Sequence, residues 1–376
     1  MNTNIPVSDS RICSFPREWL RFAPMAVALC LLSAIQLTVS ARGCDYYLIQ
    51  LNMAAYYSVV VLGLCILIGY TGQISLGHGA FFAIGGYTSA ILTTTHLASA
   101  ADSGWGGVLL KAGVIYAREG FYGENLITVS PWFAFVVALL LAGVISVLIG
   151  YPALRLKGHY LAMATLGFGL IIYRLLLGSN FTGAADGIQG VPPWHLFPGL
   201  TVTGSRAFRV ENYYIAWVFA LVMLALLSNL MRSRTGRALR SIHDSEPAAN
   251  AMGVNTAGYK LKAFVISAVL AAAAGSLLTH YNGGIGPSEA GAMKSVRYVA
   301  LVAVGGMANL WGVLIISATL IFVSLRGWLG SYDHAFFGTV LIVIISFAPD
   351  GPFKLIQSRF SKIIFGRKRS TQHGVA

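Results

Sequence analysis

Apolar residues in this chain fall into long runs separated by short polar stretches, near 22–39, 47–70, 76–95, 131–150, 160–178, 213–231 and 263–281, then 296–325 and 335–349. Most match the roughly 18 or more residues that cross ~30 Å of hydrocarbon as a helix. The pattern predicts an all-α integral membrane protein, a polytopic helical bundle. The 296–325 run is too long for one span, because at ~1.5 Å per residue a thirty-residue helix reaches about 45 Å. Gly305, Gly306, Asn309 and Gly312 lie within it, so two shorter pieces broken near residue 309 are expected.

Charge supplies a check on that break. Arg11, Arg17 and Arg21 precede the first run, and Arg155 and Lys157 lie in the 151–159 loop. Arg232, Arg234, Arg237, Arg240, Lys260 and Lys262 lie in the 232–262 loop, and Lys354, Arg359, Lys362, Arg367, Lys368 and Arg369 in the tail. Placing all four basic segments on the cytoplasmic side, as positive charge at span ends dictates, requires an even number of crossings. Nine unbroken helices fail this; about ten crossing segments, with Gly-rich broken helices, satisfy it. The expected layout is a cytoplasmic segment at 1–21, a transmembrane domain at 22–349 with a cytoplasmic loop at 232–262, and a basic cytoplasmic tail at 350–376. The stretches 96–130, 179–212 and a short 282–295 turn then lie outside, with an interfacial helix expected around Gly106 to Tyr116.

Composition narrows the function. Of 376 residues, 56% are hydrophobic and 10% charged, with a mean hydropathy of +0.70, against about 25% charged for a soluble domain. The excess of 26 Lys and Arg over 13 Asp and Glu follows the loops, so it orients helices and does not indicate a nucleic-acid partner. Cys13, Cys30, Cys44 and Cys65 show no metal-type or paired spacing and are read as inert. The first run has no small-residue cleavage site in good context and is read as a retained span. The spans carry almost no charge, and the histidines form no cluster. No catalytic or metal-ligand constellation stands out, and Gly253 to Lys260 lacks the Gly-Lys-Ser/Thr of a phosphate loop.

Three segments carry candidate chemistry. Gly69 to Tyr87 is rich in glycine and sets Gln73, Ser75 and His78 where an apolar span begins or breaks. Non-helical backbone at membrane depth survives only where it is buried or lines a wet cavity, so this is a candidate broken helix beside a pathway. For each side chain alone, a hydrogen-bonded core role is the simpler reading. Leu154 to Gly167 contributes Thr165, and the Gly-rich stretch Asn180 to Ile188 contributes Asp186, placed to meet an α-amino group or to cap a turn. In the loop Gly236 to Asn255, Asp244 or Ser245 caps a short helix with Pro247 in its first turn and Gly253 at its end. A connector of about thirty residues exceeds what helix pairs need, which favours a docking surface.

These segments, with Val304 to Gly312 near the end, resemble the branched-chain amino acid ABC transporter permeases of the LivM type, from about Leu51 to about Ile345. The resemblance implies that the cytoplasmic loop is the coupling helix, with Glu246, Ala248, Ala249 and Gly253 facing an ATPase. It implies a permease of the bacterial inner membrane with both termini cytoplasmic and no catalytic activity of its own. Two ABC ATPase subunits would hold ATP and Mg, with a second permease of the companion type and a periplasmic substrate-binding protein completing the assembly. Gln73, Ser75, His78, Thr165 and Asp186 would be candidates for the translocation pathway, with alternating access driven through the loop. Pro247 and Ala308-Asn309 depart from the family's usual residues. Urea, short amides or other amino acids remain open as cargo, and an ion-coupled secondary transporter remains the rival mechanism.

Overall fold

A computed structural model describes residues 19–96, 115–119 and 125–327, except 157 and 198, with isolated positions between 330 and 346. The basic residues before Trp19, Lys157, the 350–376 tail and most of the run expected at 335–349 lie outside the described residues. Contacts divide the chain into a short unit, Met1–Leu48, and a main unit, Ile49–Ala376. The short unit holds helix α1 (Trp19–Ala41), which contains Pro24, and a tight turn in which the Ser40 hydroxyl donates to Asp45.

The main unit is built from α2 (Tyr46–Thr71), whose first residues belong to the short unit, α3 (His78–Thr94), α4 (Pro131–Ala153), α5 (His159–Gly178), α6 (Arg209–Arg232), α7 (Arg234–Asp244), α8 (Glu246–Ala251), α9 (Thr256–Asn282), α10 (Ala292–Gly305) and α11 (Leu310–Leu325). Helix α2 is apolar on every face and buried almost throughout, as a helix inside a bundle must be. Helices α4 and α5 instead leave Leu140, Leu148, Ile171 and Leu175 exposed, an outer surface suited to lipid. Small residues let α3 and α9 run side by side in close contact. A Cβ at Gly85 would overlap the Ala272 backbone, and one at Gly275 would overlap the Phe82 carbonyl.

Six helices among the described residues are long and apolar enough to cross a membrane: Pro24–Ala41, Tyr46–Thr71, Pro131–Ala153, His159–Gly178, Arg206–Arg232 and Thr256–Asn282. The ten crossings expected from charge parity are not established, and the reason is local. Helices α10 and α11 have 14 and 16 residues, about 21 and 24 Å, each short of ~30 Å of hydrocarbon. The expected break is present. Gly306, at φ +93°, ends α10, and the Asn309 side chain caps α11 by accepting from the Gly312 N–H at 3.1 Å. The two helices form an antiparallel hairpin: a Cβ at Gly305 would meet Val313, and the Arg297 guanidinium donates to the Ser324 hydroxyl at 3.0 Å.

The third short helix, α3, starts inside the bundle. It runs parallel to α9, with His78 against Ser267 and Ser89 against His280. His78 is therefore level with the twelfth residue of α9, about 17 Å from its start.

At the opposite end from α7 and α8, β3 (Ile188–Gln189) pairs with β6 (Gly284–Ile285), and β4 (Trp194–Phe197) pairs with β5 (Leu200–Val202). Trp194 is buried there against Trp132, Phe135 and His280. Of the stretch Gly106 to Tyr116 expected to form an interfacial helix, the described residues are strand. Ile115 and Tyr116 begin strand β1 (Ile115–Glu119), antiparallel to β2 (Asn125–Val129), and the β-branched and aromatic residues of both strands account for this. Residues 106–114 lie outside the described set.

Candidate functional site

Two non-helical stretches enter the bundle from opposite ends and meet near its middle. The first is 72–77. It leaves α2 where the Tyr70 hydroxyl donates to the Ala308 carbonyl at 2.8 Å and where Gly72, at φ +68°, faces the His243 ring. From there it climbs to His78. The second is 283–291, which descends from Gly283 at the end of α9 through a 3-10 turn at Pro287–Ala290. They come together at the first turn of α3, where the Gly79 N–H donates to the Ser295 hydroxyl of α10 at 3.1 Å, close to the Glu289 and Gly291 carbonyls.

Backbone at that depth needs internal partners, and the polar residues noted in the sequence provide them. Thr165, fully buried on α5, accepts from the Leu76 N–H at 2.9 Å and donates to the Ala162 carbonyl at 3.0 Å. Ser75 lies 3.2 Å from His78 Nδ1 and accepts from the Gly77 N–H at 3.5 Å. His78 Nε2 shares a 2.6 Å hydrogen bond with Ser267. Gln73 is buried and accepts from the Thr71 hydroxyl at 3.3 Å. These four therefore hold the broken segment in shape. Gly77 is required there, since a Cβ would press on the Thr165 carbonyl at 2.8 Å. Asp186 lies apart from them, exposed in a turn in which its N–H donates to the Gly183 carbonyl.

The second stretch carries charge that the sequence reading placed outside. The 282–295 segment is not a short turn at the surface. Glu289 accepts from the hydroxyl of Tyr57 at 3.1 and 3.2 Å and pairs with the Lys294 ammonium at 2.5 Å. Tyr57 is the twelfth residue of the 26-residue α2, about 17 Å along it, so the pair sits near mid-span. The reading that the spans hold almost no charge misses this pair, because hydropathy reports composition along the chain and not a segment's return into the fold. Glycines 283, 284, 286 and 291 with Pro287, beside the unusually short α10, were the available signal.

Around the pair, the Tyr57 ring stacks on Phe82 at 5.5 Å, and the Tyr298 ring stands 6.3 Å from it. Lys294 Nζ lies 5.4 Å from the centre of the Tyr57 ring. A cavity of about 210 Å³ adjoins Glu289, lined also by Phe82, Leu278, Ile285, Asn282 and Gln189. Isolated charge at the centre of a bilayer costs roughly 2.5–3.5 kcal/mol per residue on insertion scales, which makes an intramembrane pair a candidate functional element.

The 233–255 segment forms the other candidate surface. Ser245 caps α8, accepting from the Ala248 N–H at 3.4 Å, and Asn255 caps α9, accepting from the Gly258 N–H at 2.9 Å. Ala248 is exposed, Ala249 is buried, and Gly253, at φ +82°, closes the helix with an exposed surface. Glu246 pairs with Lys260 at 2.6 Å and thereby ties α8 to α9. Met252, unremarked in the sequence, is 85% exposed at the tip. Helix α7 reaches the broken segment directly, with Arg240 over the Tyr70 ring at 5.6 Å and His243 beside Gly72.

Among known proteins, residues 46–345 match the family model described as the permease component of branched-chain amino acid transport systems. The chain is similar to the high-affinity branched-chain amino acid transport system permease protein LivM of Salmonella typhimurium, 30% identical over 321 residues, covering 80% of this chain and 68% of that protein. It is also similar to LivH of Escherichia coli K12, 26% identical over 279 residues, covering 72% and 82%. The probable LivM of Methanocaldococcus jannaschii is 24% identical over 335 residues, covering 78% and 89%. No solved structure matches. A multi-pass helical bundle with broken helices at its centre, matched over most of its length, belongs to the family of branched-chain amino acid ABC transporter permeases of the LivM type.

Proposed function

We propose that this chain is the transmembrane permease subunit of an ABC importer that moves branched-chain or similar amino acids across the bacterial inner membrane. ATP, with Mg, is hydrolysed on two separate ATPase subunits, and a companion permease and a periplasmic binding protein complete the assembly. The observation that carries this reading is the path from the loop to the centre. Helix α7 touches Tyr70 and Gly72, Gly72 opens the 72–77 stretch, and that stretch ends at His78 and Gly79 against Ser295. A partner that moves α7 and α8 therefore displaces the broken helix and the segment bearing Glu289 together, which is how alternating access would be driven.

The basic residues Arg232, Arg234, Arg237 and Arg240 put this loop on the cytoplasmic side. There α8 offers Ala248, Met252 and Gly253 to an ATPase, while Ala249 and Glu246 hold the helix to its own chain. Glu289 gives the ion-coupled transporter a foothold, since such proteins use intramembrane carboxylates. Its pairing with Lys294 and the family match weigh against that role.

Purifying the tagged chain from its native membrane in mild detergent and identifying its companions tests the assembly. An ABC ATPase and a second permease are expected. A chain that emerges alone, and carries amino acids into liposomes without ATP, would mean that the coupling role is wrong.

A further inference from the structure

We propose that Glu289 and Lys294 form the station at which the permease receives a zwitterion, the Glu289 carboxylate taking the ammonium of an amino acid and the Lys294 ammonium taking its carboxylate. This rests on the permease reading and names the chemistry of its pathway.

Three observations point to a ligand and not to a staple alone. The pair stands where two non-helical stretches meet near mid-span, the place a fold leaves irregular when something must pass. It is also not sealed: the Glu289 side chain is 16% exposed and that of Lys294 34%, whereas His78, Ser75 and Thr165 beside it are fully buried. Finally, the cavity of about 210 Å³ runs from Gln189 and Asn282 to Glu289 past Phe82, Leu278 and Ile285. This is smaller than the roughly 300–1,000 Å³ of sites for drug-sized molecules, and its lining mixes the apolar Phe82, Leu278 and Ile285 with the polar Gln189, Thr279 and Asn282.

In the empty protein the two charges neutralise each other, so the bundle tolerates them. An amino acid carries the same two charges on neighbouring groups. By inserting, it exchanges one ion pair for two, and neither protein charge is left alone. Tyr57, which donates to Glu289, fixes which side the ammonium approaches. A neutral solute such as urea or an amide has no charges to exchange and leaves the pair closed. The site thus selects zwitterions over urea and amides.

The test uses the assembled transporter in proteoliposomes, with leucine, leucinamide, N-acetyl-leucine and urea as solutes. The intact complex is expected to carry leucine well ahead of the other three. Glu289→Gln and Lys294→Met are each expected to lower leucine uptake by about tenfold or more, the loss of one charged contact. The exchanged double variant, Glu289→Lys with Lys294→Glu, keeps an ion pair and is expected to restore thermal stability without restoring uptake.

Full uptake in either single variant, or recovered uptake in the exchanged variant, overturns the station and leaves the permease reading intact. If the intact complex moves neutral urea or an amide in preference to leucine, the inference fails, and the cargo assigned to the permease fails with it. An assembled complex that moves none of the four overturns both.

Discussion

Replacing Ala248 by Arg is expected to release the ATPase from the purified complex and to lower amino-acid uptake by about tenfold or more, each decade corresponding to roughly 1.4 kcal/mol. Ala248 is exposed on α8, so the new side chain can extend into solvent. The helix keeps its Ser245 cap, its buried Ala249 and the Glu246 to Lys260 pair. The isolated permease should therefore accumulate and run as a single species as before. A bulky charge in the middle of a small docking surface leaves the partner with a clash and an unpaired, desolvated group. Gly253→Arg is a less discriminating variant, because Gly253 is left-handed at φ +82° and a side chain there strains the backbone as well. The measurement is the ratio of ATPase to permease after purification. A normal ratio with normal uptake would remove α8 from the interface.

Gly85→Leu is expected to prevent folding altogether, with the chain lost from the monodisperse peak in detergent size-exclusion chromatography. The added Cβ lands on the Ala272 backbone, which cannot rotate away, and the reciprocal contact of Gly275 with the Phe82 carbonyl lies nearby. In lipid the association of helices depends on close packing of this kind, because apolar burial drives it only weakly. Overpacking a well-filled site costs about 1–3 kcal/mol even where side chains can shift, and here the obstacle is main chain. Gly167→Leu is the control, since a Cβ at Gly167 meets nothing within 4 Å. It should behave as wild type. Equal peaks for the two variants would mean that α3 and α9 do not pack as described.

How much of this was legible in the sequence depends on the length scale of the signal. The break near residue 309 was readable because a run too long for one span carried Gly305, Gly306 and Asn309, and Gly306 and Asn309 act locally as helix end and cap. The loop helix was readable for the same reason, and of the two candidates Ser245, not Asp244, serves as the cap. The broken start of α3 was visible as glycine density, yet its depth was not. That depth follows from the parallel register of His78 with Ser267, a contact between residues 189 positions apart. Glu289 and Lys294 were missed for the same cause. Polar residues between apolar runs read as surface, and only the contacts to Tyr57 and Gly79 show that the segment turns back into the bundle. The β1–β2 hairpin was read in part as a helix, because a partly apolar stretch has no decisive period when it is short.

In the proposed assembly this chain provides the path for an amino acid whose movement is driven by ATP on other subunits. The most direct measurement is leucine uptake into proteoliposomes containing the complete assembly, with ATP supplied on the ATPase side and the binding protein on the other. Accumulation against a gradient is expected, needing both ATP and the binding protein and abolished when the ATPase is omitted. Accumulation that continues without ATP and follows an imposed proton or sodium gradient would contradict it.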